Sequence, residues 1–322
     1  MILMYHRVAD EPIDPWGNAV SPTHFSEHLA VLRSQRNIVP LADFVGMLRA
    51  GTLPKDAVAV TFDDGYVDNL LVAKPQLVAA DVPATVFLAT GYLGQSGEFW
   101  WDELTNLILN TPGRRSLKVA IRGNVMRFDL SDAHRPPSRC WRAWLEPPRT
   151  AREKAYLSLW KAGRSLSIAE RERFMRDLRQ AYADRKSPGG GTRPMTAEEV
   201  RLLISDKLIS IGAHSVTHPA LTELQAEARQ FEIVNSKRAC EVLSAKQVSA
   251  FAYPFGSVDA SVCNDICEAG FVCACSTRYG PVEIDSDPFV LPRVHVVDCD
   301  GEAFERSLHY AALTPASERE AF

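Results

Sequence analysis

Seven short apolar runs, each followed by helical periodicity, constrain this chain more than any other feature. The runs are Ile2–Tyr5, Val58–Phe62, Ala84–Ala89, Ile209–Ala213, Val248–Tyr253, Phe271–Ser276 and Val290–Val297. They are apolar almost throughout and rich in β-branched and aromatic residues, as strands buried on both faces are. Helical segments lie near Thr23–Ser34, Leu41–Ala50, Tyr66–Ala80, Thr196–Asp206, Leu221–Leu243, Val258–Ala269 and Glu302–Ala312. Thr196-Ala197-Glu198-Glu199 reads as a capping box, in which the hydroxyl and the Glu199 carboxylate satisfy amides orphaned at the helix start. Strands and helices alternating in this number favour a parallel α/β barrel over an open sheet. Catalytic groups are then expected at the C-terminal ends of the strands.

From about Phe99 to Pro194 the rhythm stops. Lys118–Arg122 and Val125–Leu130 flank Gly123-Asn124 and predict a β-hairpin. Ala151–Gly163 and Ile168–Ala183 predict two helices, and Ser187-Pro188-Gly189-Gly190-Gly191 a flexible exit. The expectation is one barrel domain over residues 1–322, with a mostly helical insertion at about 99–194 that could wall the mouth of the site.

Composition narrows the function classes. The net charge of −4 gives no overall attraction to nucleic acid, and the Arg-rich stretch from Arg114 to Arg185 reads as a solvated helical surface. No run approaches the roughly 18 apolar residues of a membrane-spanning helix. Met1–Arg7 lacks the long apolar stretch of a secretory signal, so a cytoplasmic chain with no transmembrane segment is expected. Of the seven cysteines, Cys140, Cys240, Cys263, Cys267, Cys273, Cys275 and Cys299, none forms the paired two-residue spacings of a zinc cluster. Free, mostly buried thiols are expected.

The residues that carry chemistry sit at strand ends. Asp63 and Asp64 close the second run in Thr61-Phe62-Asp63-Asp64-Gly65, and two adjacent anions there need a cation or a proton to compensate them. A helix cap and a solvated neighbour would also explain the pair. His214-Ser215-Val216-Thr217-His218 follows the fourth run, and two imidazoles at this spacing, joined by a carboxylate, make a three-ligand metal site. Tyr253-Pro254-Phe255-Gly256 forms a rigid turn that can present a backbone N–H and an aromatic wall. His6 ends the first run, and Arg293 and His295 lie on the last. Trp100, Trp101 and Tyr92 are either platforms for sugar rings or, for the two Trp, anchors of the insertion.

Taken together, these pieces resemble the polysaccharide deacetylase family, carbohydrate esterase family four, from Met1 to about Val297 apart from the insertion. The resemblance implies a distorted (β/α)7 barrel. It implies Asp63 as general base, and Asp64, His214 and His218 as ligands of a divalent metal, zinc or alternatively cobalt, nickel or manganese. It further implies the Phe255 N–H as an oxyanion donor. The substrate implied is an N-acetylated carbohydrate, free or carrier-linked, and the mild overall acidity separately argues against nucleic acid. Two departures stand out. The family's third motif carries an Arg where this chain has Ala252, and Arg293 could supply that guanidinium from the last strand. The family's general-acid His normally comes late, whereas Ile2-Leu3-Met4-Tyr5-His6 looks like that motif moved to the N-terminus, as among bacterial exopolysaccharide deacetylases. His6 is therefore the expected acid, with His295 in reserve, and no copy of the fourth motif is found. Competing expectations are a deformylase or other amide hydrolase acting on a lipid-linked sugar, and an inactive carbohydrate-binding homologue.

Overall fold

The computed structural model describes residues 1–111, 115–131, 141–182 and 193–313. The glycine-rich exit at Ser187–Gly191 and Cys140 lie outside the described residues.

Seven parallel strands close into a barrel: β1 (Ile2–Tyr5), β2 (Ala57–Phe62), β3 (Ala84–Leu88), β4 (Ile209–Ala213), β5 (Ala250–Ala252), β6 (Cys273–Tyr279) and β7 (Leu291–His295). Each strand pairs with its neighbours in sequence. The ring closes where β1 pairs on one side with β2, Tyr5 opposite Phe62, and on the other with β7, Met4 opposite His295. The fold is the expected distorted (β/α)7 barrel. Its distortion is visible where β4 meets β5 through the single register pair Phe251–Ala213, and where β6 and β7 slip register between Cys275 and Tyr279. The short strand Asn37–Ile38, unanticipated from sequence, adds to the outside of β2.

Alternation along the strands makes two cores. Val58, Val60 and Phe62 of β2 pack outward with Val86, Leu88, Ile209, Ile211 and Val294 under the surrounding helices. Ala57, Ala59, Ala250, Ala252, Cys273 and Cys275 point into the barrel with Phe87 and Leu291. The inward residues are mostly small because the interior must also take large groups. A Cβ on Gly212 would stand 2.4 Å from the Phe87 ring. Arg293, also inward, is wholly buried.

The barrel helices largely match the sequence pattern, although the helix expected from Leu221 begins at Ala226 after a 3-10 turn, Leu221–Glu223. The expected Tyr66–Ala80 helix is a π-helix, Asn69–Ala73, running into an α-helix, Lys74–Ala80. Its wide turn puts Asp68 and Asn69 under the N-terminal strand. Asn69 Nδ2 donates to the His6 carbonyl at 2.9 Å, and Asp68 accepts from Arg7 Nε at 2.9 Å. Single-turn π segments of this kind are frequent at functional sites. The capping box is present: Thr196 Oγ1 accepts from the Glu199 amide at 3.1 Å, and the Glu199 carboxylate accepts from the Thr196 amide at 2.8 Å.

The chain divides into two compact units, one of Met1–Asp10, Asn18–Ser96 and Pro194–Phe322, the other of Glu11–Gly17 and Gly97–Arg193. The first holds the barrel. The second holds the hairpin Ser116–Ile121/Asn124–Asp129 and the helices Trp100–Ile108, Ala151–Arg164 and Ile168–Ala181. Trp100–Ile108 was not read as a helix from sequence, where its two Trp stood as either sugar platforms or anchors of the insertion. Both rings are buried within this unit, Trp100 against Gly163, and serve its packing. Trp16 belongs to the same unit: its Nε1 donates to the Tyr156 hydroxyl at 2.7 Å, and its ring lies 4.2 Å from that of Trp160. Most described arginines of the Arg-rich run are exposed, as a solvated surface requires. Arg152 and Arg171 are buried, while Arg122 and Arg179 pair with Glu170 and Glu103.

Candidate active site

Asp63 and Asp64 leave β2 in opposite senses because the backbone turns sharply between them. Thr61 and Asp63 continue the inward alternation of Ala57 and Ala59, whereas Asp64 adopts a left-handed backbone, φ 72°. Gly65 follows at φ 87°, where a Cβ would stand 2.7 Å from Leu88 Cδ2, so only glycine fits. Asp64, Ser215, His218 and Phe255 are four of the seven non-glycine residues with positive φ among the described residues. Asp81 and Ala245 end helices and Arg122 turns the hairpin, which are ordinary uses of that conformation. The other four hold it at strand ends that face one another, at a cost of about 1–3 kcal/mol each.

Asp64 and the two histidines form the only group among the described residues with the spacing of a metal site. Asp64 Oδ1 lies 3.4 Å from His214 Nε2 and 3.3 Å from His218 Nε2, and the two Nε2 atoms are 3.1 Å apart. All three side chains are buried. His214 Nδ1 donates to the Ala252 carbonyl at 2.8 Å, which leaves the Nε2 lone pair directed at its neighbours. Asp64 Oδ1 is buried without a hydrogen-bond donor of its own. Three electron-rich atoms packed this closely out of water are stable only around a cation or a shared proton. A tetrahedral centre with bonds of about 2.0–2.1 Å has ligand–ligand edges of about 3.3 Å, so a divalent ion fits the donor set.

The electrostatics follow from burial and proximity. Burial alone would raise the pKa of Asp64, but the His214 ring beside it and the His218 charge outweigh it and keep the carboxyl low. For His214 burial works downward, and Asp64 and Asp63 prevail, so its pKa is raised. Asp63 is opposed by burial too, yet the Arg293 guanidinium holds it well below the usual carboxylate range.

Arg293 reaches across the barrel interior to Asp63. Its Nη1 and Nη2 donate to Asp63 Oδ1 and Oδ2 at 2.8 and 2.7 Å, Nη1 also to Thr61 Oγ1 at 3.2 Å, and Nε to the Ser276 carbonyl at 2.9 Å. This is where the sequence allowed a guanidinium to replace the one absent at Ala252. Thr61 and Ser276, which complete its shell, gave no sequence signal, being ordinary small residues of a strand.

His6 and His295 stand together at the same end, ring centroids 5.9 Å apart and edge-on at 80°. Burial lowers the His6 pKa, while the nearby charges of Asp64 and Asp63 pull it upward. Phe255 takes φ 57° in the turn Pro254–Gly256, and its ring meets that of His218 edge-on at 4.5 Å. Gly256 follows at φ 66°, its Cβ position only 2.0 Å from Thr277 Oγ1. Tyr253 is buried below the turn, its hydroxyl donating to the Phe289 carbonyl at 2.8 Å. Tyr92 is half-buried in the turn after β3. The six described thiols are free, and only Cys267 is exposed.

Residues 180–274 match the sequence model of the polysaccharide deacetylase family, a segment that includes both histidines and the Pro-Phe-Gly turn. Among curated proteins no sequence match is found. Solved structures that share the fold include the following three. A Streptococcus pyogenes deacetylase, PplD, in complex with acetate is 16% identical at a TM-score of 0.60, over 95% of this chain and 96% of that one. IcaB from Ammonifex degensii is 16% identical at a TM-score of 0.59, over 97% and 96%. The BpsB deacetylase domain from Bordetella bronchiseptica is 15% identical at 0.53, over 93% and 96%. The resemblance first carried by short motifs thus extends to the family's sequence pattern and to the barrel.

Proposed function

We propose, from the match to the polysaccharide deacetylase family and the site geometry, that the chain hydrolyses an N-acetyl group on an amino sugar. The substrate is a poly- or oligosaccharide or a glycolipid. The observation that carries the reading is the division of labour between adjacent carboxylates, Asp64 turned to two imidazoles and Asp63 turned to a guanidinium. Such separation of environments is how one site assigns different roles to like groups.

Asp64, His214 and His218 would hold a divalent ion, zinc or a similar metal. Bound there, the ion would lower the pKa of water and polarise the acyl oxygen. Asp63 accepts the proton as water attacks the acetamide carbon, its plane fixed by the two-pronged grip of Arg293. The Phe255 N–H, aimed by its left-handed backbone, donates to the developing oxyanion, a contribution of about 2.7–4 kcal/mol in comparable sites. His6 delivers a proton to the nitrogen as the C–N bond breaks, and such general acids contribute about 100- to 10,000-fold. The products are acetate and a free amine on the sugar.

Acetate release tests this reading. Protein stripped with a chelator and reloaded with zinc or cobalt is given N-acetylated glucosamine oligomers of several linkages. Acetate formed by the loaded protein, and not by the stripped one or by loaded Asp63→Asn, supports it. Equal release by loaded wild type and Asp63→Asn would refute it, and formate release from N-formylated analogues alone would make the chain a deformylase.

A further inference from the structure

The loop between the two site histidines is held by a side chain from outside it. Ser215 and His218 both lie in the left-handed region, φ 62° and 55°, so the intervening amides of Val216 and Thr217 are turned away from any strand partner. Both point at Glu232, on the helix Ala226–Ser244. Its Oε2 accepts from the Val216 and Thr217 amides, each at 2.8 Å, and its Oε1 from the Thr217 hydroxyl at 2.6 Å. Consecutive amides converging on one anion form a nest that favours negative charge. Glu232 is buried, and these three donors compensate its carboxylate. The loop's carbonyls are anchored on the other side, Ser215 O by the Thr90 amide at 3.1 Å and Val216 O by the Gly91 amide at 2.7 Å. Inside the loop, Ser215 Oγ accepts from the His218 amide at 2.9 Å.

We infer that Glu232 is a positioning residue for the metal centre, fixing the loop so that His218 Nε2 meets His214 and Asp64. This inference rests on the metal-binding reading of those three residues. Without the carboxylate, two buried amides lose their acceptor, and the strained backbone at Ser215 and His218 can relax toward ordinary φ values. His218 then leaves the cluster. A helix-borne glutamate serving only to stabilise the fold would affect melting and leave metal affinity alone.

The test is zinc affinity of the whole chain, measured by competition with a chelating dye, alongside melting of the metal-free protein. Glu232→Gln keeps one acceptor for the amides and Glu232→Ala keeps none. The expected order of zinc dissociation constants is wild type, then Gln, then Ala, with Ala weaker than wild type by about 10- to 100-fold, as for other outer-shell partners. A lowered melting temperature with unchanged zinc affinity in both variants would overturn the positioning role while leaving the metal site intact. If Glu232→Ala fails to fold, Glu232→Gln alone decides by the same criterion. Failure of wild type to bind zinc would overturn the metal reading itself, and this inference with it.

Discussion

Arg293 grips Asp63 with two parallel hydrogen bonds, Nη1 to Oδ1 at 2.8 Å and Nη2 to Oδ2 at 2.7 Å, inside the barrel. Neither side chain reaches solvent, so each is the other's main compensation for lost hydration. Breaking such a pair from one side leaves a buried charge uncompensated, at a cost of about 3–5 kcal/mol. Arg293→Met should therefore destabilise by about that amount in urea unfolding. The double variant Arg293→Met/Asp63→Leu should recover much of the loss. Simple additivity of the two single changes would show that the pair is not coupled as its geometry requires.

Removing the Asp63 charge alone has a different expected signature. Asp63→Asn should abolish turnover while zinc content stays near that of wild type, because Asp63 faces Arg293 rather than the imidazoles. Loss of metal in this variant would mean that the two aspartates have exchanged roles.

The two neighbouring histidines are separable by rate. His6→Ala should lower kcat by about 100- to 10,000-fold, the range for a general acid, and His295→Ala far less. The reverse ranking would transfer the acid to His295.

Stability should depend on pH through His28, which is remote from the metal ligands. His28 is buried beneath Phe304, ring centroids 4.0 Å apart, with Nε2 on the Cys299 carbonyl at 2.8 Å. Burial, partly opposed by that carbonyl, lowers its pKa to about 4. The unfolded chain takes up this proton near pH 6.5 and the folded chain does not. The contribution is thus fully present above about pH 6.5 and is lost as pH falls toward 4, by about 3 kcal/mol in total. Melting temperatures from pH 7.5 to 4.5 should fall more steeply for wild type than for His28→Leu. Parallel curves would contradict the assignment.

Legibility in the sequence followed the range of the interactions. All seven barrel strands could be read because each is a run of apolar residues whose neighbours are decided by the same periodicity. The convergence of Asp64, His214 and His218 could be read because they sit at strand ends, which a parallel barrel gathers on one face. Arg293 could be suspected only through the gap at Ala252, since nothing local distinguishes an inward arginine from one on a strand edge. Glu232 was illegible: a polar residue on an amphipathic helix looks solvated until the loop it holds is seen. Trp16 was equally silent, because its partners Tyr156 and Trp160 come from far along the chain. The helix beginning at Trp100 was missed because it lies where the strand–helix rhythm of the barrel stops, so its short apolar pattern had no neighbouring element to set it.

The central claim is a divalent ion held by Asp64, His214 and His218, and metal content per chain tests it most directly. Wild type and His214→Ala would be loaded with zinc, freed of excess and measured by mass spectrometry. The account predicts close to one zinc per wild-type chain and little in His214→Ala, with both proteins folded. Equal zinc in the two proteins, or none in wild type, would contradict it.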